Sequence, residues 1–494
     1  MDNQVMWQKS LWLLGHLSGL LLMAIPGAIA QPRTTAADLI PLNPNPDPLY
    51  LPSRPEQVTI DVDRPITLTE AIELARRNNR QLQIIEAQLQ QSRAVLRQAE
   101  SALYPTLSFQ TNISRTDSAA IRLQNAQAQQ AFIKGGGLGI PPVPLNTTSN
   151  TWTNTVQLGY NIFTAGQRSG SIQAAREQVR NAELDLQRQF EQLRQDVAND
   201  YYNIQQAEAL VRIGQAAVQN SQISLRDAVA RERAGLGTLF DVLTAEVQLA
   251  NNQQQLVQAQ SQLKTAQRQL AKTLSLNDKA TVQAADPIQV VGEWKLSLEE
   301  SITLAFRNRV ELEQQLAQRN TALQQRRVAL GNLGPQLVAG GSFNTTDDLS
   351  DSLAPRWGYT VGGQMNWTLF DGGVSRASAA QQESSAAIAE AQYAAFKNLI
   401  RFQVEQAYYT LKSSQENIRT NEVAVRQATE GLRLARLRFQ AGIGTQAEVS
   451  NAETSLIQAQ SNLLSSTIDY NRAIAALQRF VSGLPLNPQT ASTP

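Results

Sequence analysis

The chain has 494 residues, of which 42% are hydrophobic, 17% charged and only 6% aromatic. The 43 Lys and Arg residues nearly balance the 42 Asp and Glu residues, so the net charge gives no bulk attraction for nucleic acid. There is no cysteine, and the single histidine, His16, lies near the start of the chain. This composition excludes disulfides and Cys/His metal sites, and we expect no catalytic site, no cofactor and no nucleic-acid partner.

Residues 1–30 predict a signal peptide. Lys9 precedes an apolar run from Leu11 to Ile25, and the segment ends in Ala-x-Ala, a small-residue cleavage pattern. The run is shorter than the roughly 20 residues that a membrane-spanning helix needs, which favours cleavage over a retained anchor. The next segment, residues 31–65, contains eight prolines and predicts an extended N-terminal extension.

Most of the remaining chain consists of an internal repeat. Its two copies are residues 66–274 and 296–483, and a connector at 275–295 lies between them. The heptapeptide at residues 66–72 has a similar counterpart at 296–302, an offset of 230 residues. Further along the chain, matching residues of the two copies are 207 positions apart. Such self-similarity indicates a duplicated structural unit. The difference of 23 residues falls where the first copy has a Gln/Ala-rich segment and a glycine run. We interpret this surplus as a longer loop.

Each copy predicts a helix, a pair of strands, a very long helix, a tight turn and another helix, in that order. The first helix, capped by Thr67 or Thr69, continues to about Leu103 and is stopped by Pro105. The connector holds a short strand around Val290–Val291, and a short tail follows at residues 484–494. The other predicted elements are strands 104–114 and 151–163, helix 170–233, turn 234–238 and helix 239–274 in the first copy, and strands 335–345 and 356–370, helix 374–440, turn 441–445 and helix 446–481 in the second.

The long helices need partners along their whole length. At 1.5 Å per residue each is about 95 to 100 Å long, and a helix of that length does not bury itself. The helices after the turns repeat apolar residues every seven positions from Val242 and Val449 onward, which is the period of a left-handed coiled coil. Taken alone, these heptads favour a non-channel periplasmic coiled-coil scaffold, which we keep as the alternative.

The strands alternate between two chemical faces. From Trp357 to Leu369 most odd positions are apolar or aromatic, and the even positions are Thr, Gln, Asn and Gly. About ten residues per strand, with an apolar outer face and an uncharged polar inner face, is typical of a transmembrane β-barrel that encloses water. Four strands do not close a barrel, so the chain must oligomerise. The aromatic residues predicted to face lipid are Trp152, Tyr160, Trp357, Tyr359 and Trp367.

From about Leu68 to Gly483, the duplicated arrangement of long helices, strand pair and Gly-containing turn resembles the TolC-like outer-membrane efflux proteins. The resemblance implies a mainly α fold with a membrane β-barrel, in which three chains contribute four strands each to a twelve-stranded barrel and their helices form a tunnel into the periplasm. It implies a non-enzymatic function, the passive exit duct of a tripartite system for efflux or type I secretion. The implied partners are two further copies of the chain (a homotrimer), a periplasmic adaptor protein, an inner-membrane pump or ABC transporter, and outer-membrane lipid.

The two glycine turns are the most informative motifs. Their first glycines can take the positive φ that ends a helix, and their threonines can cap the next helix. By resemblance, the turns form the periplasmic tip of the tunnel, where the adaptor docks. The docking residues so implied are Gly235, Gly237, Thr238, Gly442, Gly444 and Thr445, and the residues implied at the pore constriction are Asp241, Glu448 and Asn451.

The acidic residues after the two turns have two interpretations. Capping and pore lining both fit Asp241, because a carboxylate also stabilises a helix N-terminus. Pore lining is favoured for Glu448, because the family places an acidic ring on this second-copy helix. The sequence departs from the family pattern at Asn451, at Phe439, which lacks a hydroxyl, and at Gly444, which offers no basic side chain. The usual polar gate is therefore partly missing.

Overall fold

The structure, a computed structural model, is described for residues 42–137, 139–349 and 353–481. The chain divides into two units, Met1–Asn43 and Pro44–Pro494, and all the helices and strands given below belong to the second. The predicted signal peptide and the tail at residues 484–494 lie outside the described residues. Among the helices described, none is long and apolar enough to cross a membrane.

Nine α-helices and six strands make up the described part of the second unit. The strands are β1 Val62–Ile66, β2 Thr106–Asp117, β3 Thr148–Phe163, β4 Ala280–Ala284, β5 Gln336–Asp348 and β6 Arg356–Asn366. The helices are α1 Leu68–Asn78, α2 Arg80–Ser101, α3 Ala119–Lys134, α4 Gln167–Arg233, α5 Leu239–Thr273, α6 Leu298–Asn308, α7 Val310–Gly331, α8 Val374–Gln440 and α9 Gln446–Val481. Two of them, α4 and α8, have 67 residues each, which corresponds to about 100 Å.

The prediction of one unbroken first helix was wrong, because it divides at Asn79 into α1 and α2. Thr67 caps α1 in a capping box with Glu70. The Asn79 side chain accepts a bond from the Leu82 N–H at 3.0 Å, and so caps α2, while its amide donates to the Thr273 carbonyl at 2.8 Å. A neighbouring helix end thus stabilises the break, and no Gly or Pro marks it in the sequence.

The four long strands form one antiparallel sheet in the order β2-β3-β5-β6. Thr106 pairs with Gly159 in the first copy, and Gln336 pairs with Asn366 in the second. These pairs occupy matching positions of the two copies, so both hairpins have the same register. The edges of the sheet are β2 and β6.

The strand bounds differ from the prediction at several ends. Both β2 and β5 begin after a proline, which has no N–H to donate, and β2 extends to Asp117 because it pairs with Thr148–Thr151. The last predicted strand ends at Asn366 rather than at residue 370, because β5 begins at Gln336 and offers the next residues no partner. Trp367 instead donates its indole N–H to the Leu333 carbonyl at 3.0 Å.

The connector contains its strand in a different place from the one predicted. Residues Ala280–Ala284 pair in parallel with Val62–Ile66, at the end of the Pro-rich extension. Val282 is fully buried there, whereas Val290 and Val291 are about half exposed. Burial and pairing, rather than β-branched side chains alone, decide which segment is a strand.

The surplus segment of the first copy is more ordered than the predicted loop. Between β2 and β3 it forms the 16-residue helix α3, capped by Ser118, whose side chain accepts from the Ile121 N–H at 3.3 Å. The glycine run follows this helix, and Gly136 and Gly137 have positive φ.

The long helices are covered by the other helices of both copies. Helix α4 packs against α1, α2, α5, α7 and α9, and α8 packs against α6, α7 and α9. Where the two helical hairpins, α4–α5 and α8–α9, approach their turns, a set of buried residues from all four helices forms what we call the tip cluster: Ala228, Val242, Ala245, Leu432, Phe439, Val449 and Leu456.

Candidate functional site

The two turns between the long helices have the same backbone geometry. Gly235 and Gly442 have φ of +69° and +80°, in the left-handed region that favours glycine. At Gly237 and Gly444 the chain folds back closely, and a Cβ built on Gly444 would lie 3.0 Å from the Arg438 Cβ. The glycines are therefore required by turn geometry, whatever else they contact.

Asp241 closes a capping box at the first turn. Thr238 Oγ1 accepts from the Asp241 N–H at 3.2 Å, and the Asp241 carboxylate accepts from the Thr238 N–H at 3.1 Å and from its hydroxyl at 2.7 Å. Of the two interpretations that the sequence leaves open, the observed contacts are those of a cap.

The second turn uses its acidic residue differently. Thr445 Oγ1 accepts from the Glu448 N–H at 3.2 Å, but the Glu448 carboxylate extends toward Arg438, whose Nε lies 3.9 Å away. Both side chains are about half exposed, and Asn451 is exposed at the next turn of α9. The basic group near Glu448 is thus supplied by the end of α8, not by the turn itself.

Arg231 connects the first turn to the end of α8, a contact that was not predicted from the sequence. Its guanidinium donates to the Leu236 carbonyl of its own turn and to the Gln440 carbonyl at the end of α8, both at 3.0 Å. It also lies over the ring of Phe439, 5.0 Å from the centroid. Phe439 is buried in the tip cluster, so this ring packs between the hairpins.

A buried carboxylate lies behind the turns. Glu453 of α9 is only 3% exposed, and it accepts hydrogen bonds from the Ser224 hydroxyl at 2.6 Å and the Ser221 hydroxyl at 3.3 Å, both on α4. Arg436 of α8 donates to the same carboxylate at 3.0 Å, and Asn252 of α5 donates to Ser221. This network, which we call the Glu453 network, connects all four helices of the two hairpins.

A second buried ion pair lies at the other end of α9. Arg309 makes a bidentate contact with Glu311, at 2.7 and 2.8 Å, and the guanidinium groups of Arg309 and Arg479 both lie over the Phe480 ring. Burial by itself raises the pKa of Glu311, but the Arg309 guanidinium outweighs it and holds that pKa below its ordinary value. Among the described residues, no group of three or more acidic or histidine side chains could hold a metal ion.

Large apolar side chains are exposed around the first turn. They are Leu236, Leu239, Phe240, Leu243 and Val247, and in the second turn Ile443 is exposed as well. The sequence predicted docking residues only as glycines and threonines of the turns. The exposed apolar residues beside them were missed, although a Leu-Gly-Thr-Leu-Phe run at the start of a helix is a visible signal.

The sheet carries a row of exposed apolar side chains on one face. Leu107, Phe109 and Ile113 of β2 share this face with Val361 and Met365 of β6. Of the aromatic residues predicted to face lipid, Trp357 stacks on Phe343, Trp152 donates to Thr111 Oγ1, Tyr160 lies under Arg168, Tyr359 is exposed, and Trp367 follows the end of β6.

Known proteins of the same kind match this chain in sequence and in fold. A model of the outer membrane efflux protein family matches residues 71–275 and 302–483. The outer membrane efflux protein BepC of Brucella suis biovar 1 (strain 1330) is 25% identical over 160 residues, which cover 32% of this chain and 30% of BepC.

Solved structures share the fold over most of the chain. The outer membrane protein VceC of Vibrio cholerae superposes with a TM-score of 0.70 at 20% identity, covering 84% of this chain and 95% of VceC. The CmeC outer membrane channel of Campylobacter jejuni gives 0.73 at 16% identity, covering 90% and 94%. The open state of the Neisseria gonorrhoeae MtrE outer membrane channel gives 0.65 at 17% identity, covering 93% and 97%.

The family model covers both copies of the duplicated unit, from α1 to the end of α9 and including the sheet and both turns. The chain therefore belongs to the outer membrane efflux protein family, and it is an outer-membrane protein.

Proposed function

We propose that this protein is the passive exit duct of a tripartite export system, assembled from three copies of the chain. The observation that carries the proposal is the four-stranded sheet, which has an exposed apolar face and two unpaired edges. An open edge in lipid would leave backbone groups without hydrogen-bond partners, at a cost of several kcal/mol each. Closure with further copies satisfies these groups, and three copies supply twelve strands.

Contacts between the two repeat copies support the same assembly. Each element of the first copy has a counterpart in the second: α4 corresponds to α8, α5 to α9, α2 to α7, β3 to β6 and β2 to β5. Within one chain α4 packs on α7 and α9, and β3 pairs with β5. The counterpart contacts are not formed in the described part of a single chain. There, α8 does not pack in this way on α2 or α5, and β6 does not pair with β2. One rotation of a second copy supplies all three contacts, and repeating it closes a ring.

The turns support the partners that the proposal requires. Exposed apolar side chains at the end of long hairpins form a surface suited to another protein, because monomeric surfaces rarely expose such a patch. We assign it to a periplasmic adaptor, which connects the duct to an inner-membrane pump or ABC transporter. Glu448 and Asn451 line the constriction in this arrangement, and the transported cargo is either a small molecule or a secreted protein.

Adjacent residues of β6 provide the test. Val361 is 80% exposed on the apolar face, and Thr360 lies on the other face. Val361→Arg should destabilise the detergent-extracted trimer by about 2 to 4 kcal/mol if this face contacts lipid, whereas Thr360→Arg should leave the trimer intact and change its conductance. The yield of trimer on native gels and the conductance in planar bilayers measure these effects. Equal tolerance of arginine on both faces would refute the barrel.

The alternative, a periplasmic coiled-coil scaffold, makes a different prediction. A scaffold would keep the coiled-coil helices but have no use for a sheet with an apolar outer face. Membranes of cells expressing the full chain, washed with high salt or carbonate, distinguish the two proposals. The duct stays in the pellet until detergent is added, and the scaffold is released without it.

A further inference from the structure

Helix α3 has no extensive contact with another helix or strand of the described chain. Its 16 residues lie between β2 and β3, where the first copy has its surplus segment, whereas the second copy has only residues 349–355 between β5 and β6. None of the residues of α3 is buried. An isolated helix of about this length is marginally stable in water, so α3 needs a packing partner.

One side of α3 is held by the chain that returns to β3. The half-buried residues of α3 lie on this side and are Ile121, Asn125 and Phe132. The Asn125 amide donates to the Leu145 carbonyl at 2.7 Å, and its side-chain oxygen accepts from the Leu145 N–H at 2.9 Å. At the start of α3, the Ser118 N–H donates to the Thr147 carbonyl at 2.8 Å. These bonds attach α3 to the end of the β2–β3 hairpin.

The opposite side of α3 carries residues with coiled-coil spacing. Positions that alternate in steps of four and three share one side of a helix, and this spacing packs helices together in coiled coils. On α3 these residues, which we call the α3 stripe, are Ala119, Leu123, Ala126, Gln130 and Ile133. All five are exposed, Leu123 and Ile133 by 60% and 64%. Nothing in the described part of the chain covers the α3 stripe.

We propose that the α3 stripes of three copies pack on one another above the outer mouth of the duct and form a lid that the cargo must part. The proposal rests on the proposed trimer. Helices α2 and α4 adjoin the other end of the β2–β3 hairpin, so α3 lies at the outer mouth. The rim then alternates three α3 helices with three short β5–β6 connections, and each α3 reaches another α3 across the opening rather than along the rim.

The dimensions of the barrel allow this contact. Twelve strands about 4.8 Å apart, tilted by about 40°, enclose a barrel about 24 Å across. Three helices in contact lie about 8 to 10 Å apart, which places the axis of each about 5 to 6 Å from the centre. Each α3 therefore needs to lie only about 6 Å inside the barrel wall. Its 16 residues span about 24 Å, enough for contact along the whole α3 stripe.

The composition of α3 favours helix packing in water over adsorption to lipid. A helix that lies on a membrane is rich in Lys and Arg on one face and in Trp, Phe or Leu on the other. Outside the α3 stripe and the side held by the returning chain, α3 carries mainly alanine and glutamine, and Arg122 is paired with Asp117. A polar residue at a core position specifies register and oligomer state in coiled coils. Gln130 can play this part by bonding to its copies in the other two chains.

Single cysteines test the lid, and the chain has no cysteine of its own. Leu123→Cys should join two chains of a purified trimer in detergent when a short, reducible thiol cross-linker is added. The product is a covalent dimer on denaturing gels. Gln124→Cys is the matched control, because it moves the thiol about 100° around α3 and should leave the chains separate. Intact trimers in which Leu123→Cys joins chains no better than Gln124→Cys would overturn the proposal, and this is the result expected if the α3 stripe lies on lipid.

Access to the barrel from outside the cell tests whether the lid obstructs the mouth. Thr360→Cys provides a thiol on the face of β6 that lines the barrel in the proposed duct. A bulky, membrane-impermeant maleimide added to intact cells should label it several-fold faster when Leu123→Glu separates the stripes. Gln124→Glu adds the same charge at the adjacent residue and should leave the labelling rate unchanged.

The outcomes separate the lid from the duct. Equal rates of bulky labelling with Leu123→Glu and Gln124→Glu, in trimers whose Thr360→Cys reacts with a small maleimide, would overturn the lid and leave the duct intact. A chain that forms no trimer on native gels, or a Thr360→Cys thiol that no maleimide reaches in any variant, would count against the duct and would overturn the lid with it.

Discussion

The two helical hairpins have the same turn and different interiors. Both turn with a glycine in the left-handed region and a threonine that caps the next helix. Behind the first turn the acid Asp241 closes a capping box, and behind the second turn Glu448 faces Arg438. Deeper in the helices, Glu453 of the second hairpin is buried in a four-helix network, while Glu246 at the matching position of the first is exposed.

This difference shows how a duplicated chain obtains two kinds of helix surface, one buried and one exposed, from one unit. The turn is preserved because its backbone geometry allows few residues. The helix surfaces differ in their surroundings: in the described part of the chain Glu453 of α9 is buried against α4, whereas Glu246 of α5 is exposed. Substitutions that act on one hairpin and not on the other therefore test the comparison.

The largest expected effect is at Arg436. Arg436→Ala leaves the Glu453 carboxylate buried without its charged partner, and we expect a loss of about 3 to 5 kcal/mol in the free energy of unfolding. Chemical unfolding in detergent, followed by circular dichroism, measures it. Arg433→Ala on the same helix removes a partner of the exposed Glu430 and serves as the matched control, with no measurable change expected. Similar losses of unfolding free energy in both variants would show that the Glu453 network stabilises the protein no more than an exposed ion pair does.

A smaller effect is expected at Arg231. Arg231→Ala removes two hydrogen bonds to carbonyl groups and a contact with the Phe439 ring, which should destabilise the paired turns by about 2 kcal/mol. Arg438→Ala, at the matching position of the second copy, should cost less than about 0.5 kcal/mol, because its contacts are longer and exposed. Limited proteolysis at the turns reports the difference. Equal cleavage of the two variants would contradict a special role for Arg231.

The smallest effects separate the two acids after the turns. Asp241→Ala should lower stability by about 1 kcal/mol through loss of the capping box, with unchanged ion selectivity. Glu448→Gln should change stability by only a few tenths of a kcal/mol, and it should lower the cation preference of the channel and weaken block by a trivalent cation. Single-channel recordings with thermal melts check both. Unchanged selectivity in Glu448→Gln would remove this residue from the pore.

Residues that are close together in the sequence are enough to predict where the longest helices end. A glycine that must take positive φ, followed by a threonine that can cap, marks the turns between α4 and α5 and between α8 and α9. Alternation of apolar and polar residues identifies the strands, because successive side chains of a strand point to opposite faces. These features depend only on residues that are neighbours in the sequence, so they can be predicted without knowledge of the tertiary structure.

Other features depend on residues far away in the chain. The break at Asn79 is held by the Thr273 carbonyl, and the connector strand lies where Val62–Ile66 is available to pair. Trp367 leaves the sheet because no residue of β5 is opposite it. In each case a partner about 30 to more than 200 positions distant determines the local conformation, and the sequence near the site does not specify it.

Glu246 and Glu453 show most clearly which properties the sequence determines and which the tertiary structure decides. The sequence alone determines that both copies carry glutamate at the same position of the same helix. Only the tertiary structure decides that one carboxylate is buried among two serines and an arginine and that the other is exposed. The physical reason is that burial depends on which helices pack nearby. In the described part of the chain α9 packs against α4, whereas Leu239, Leu243 and Glu246 on the matching surface of α5 are exposed.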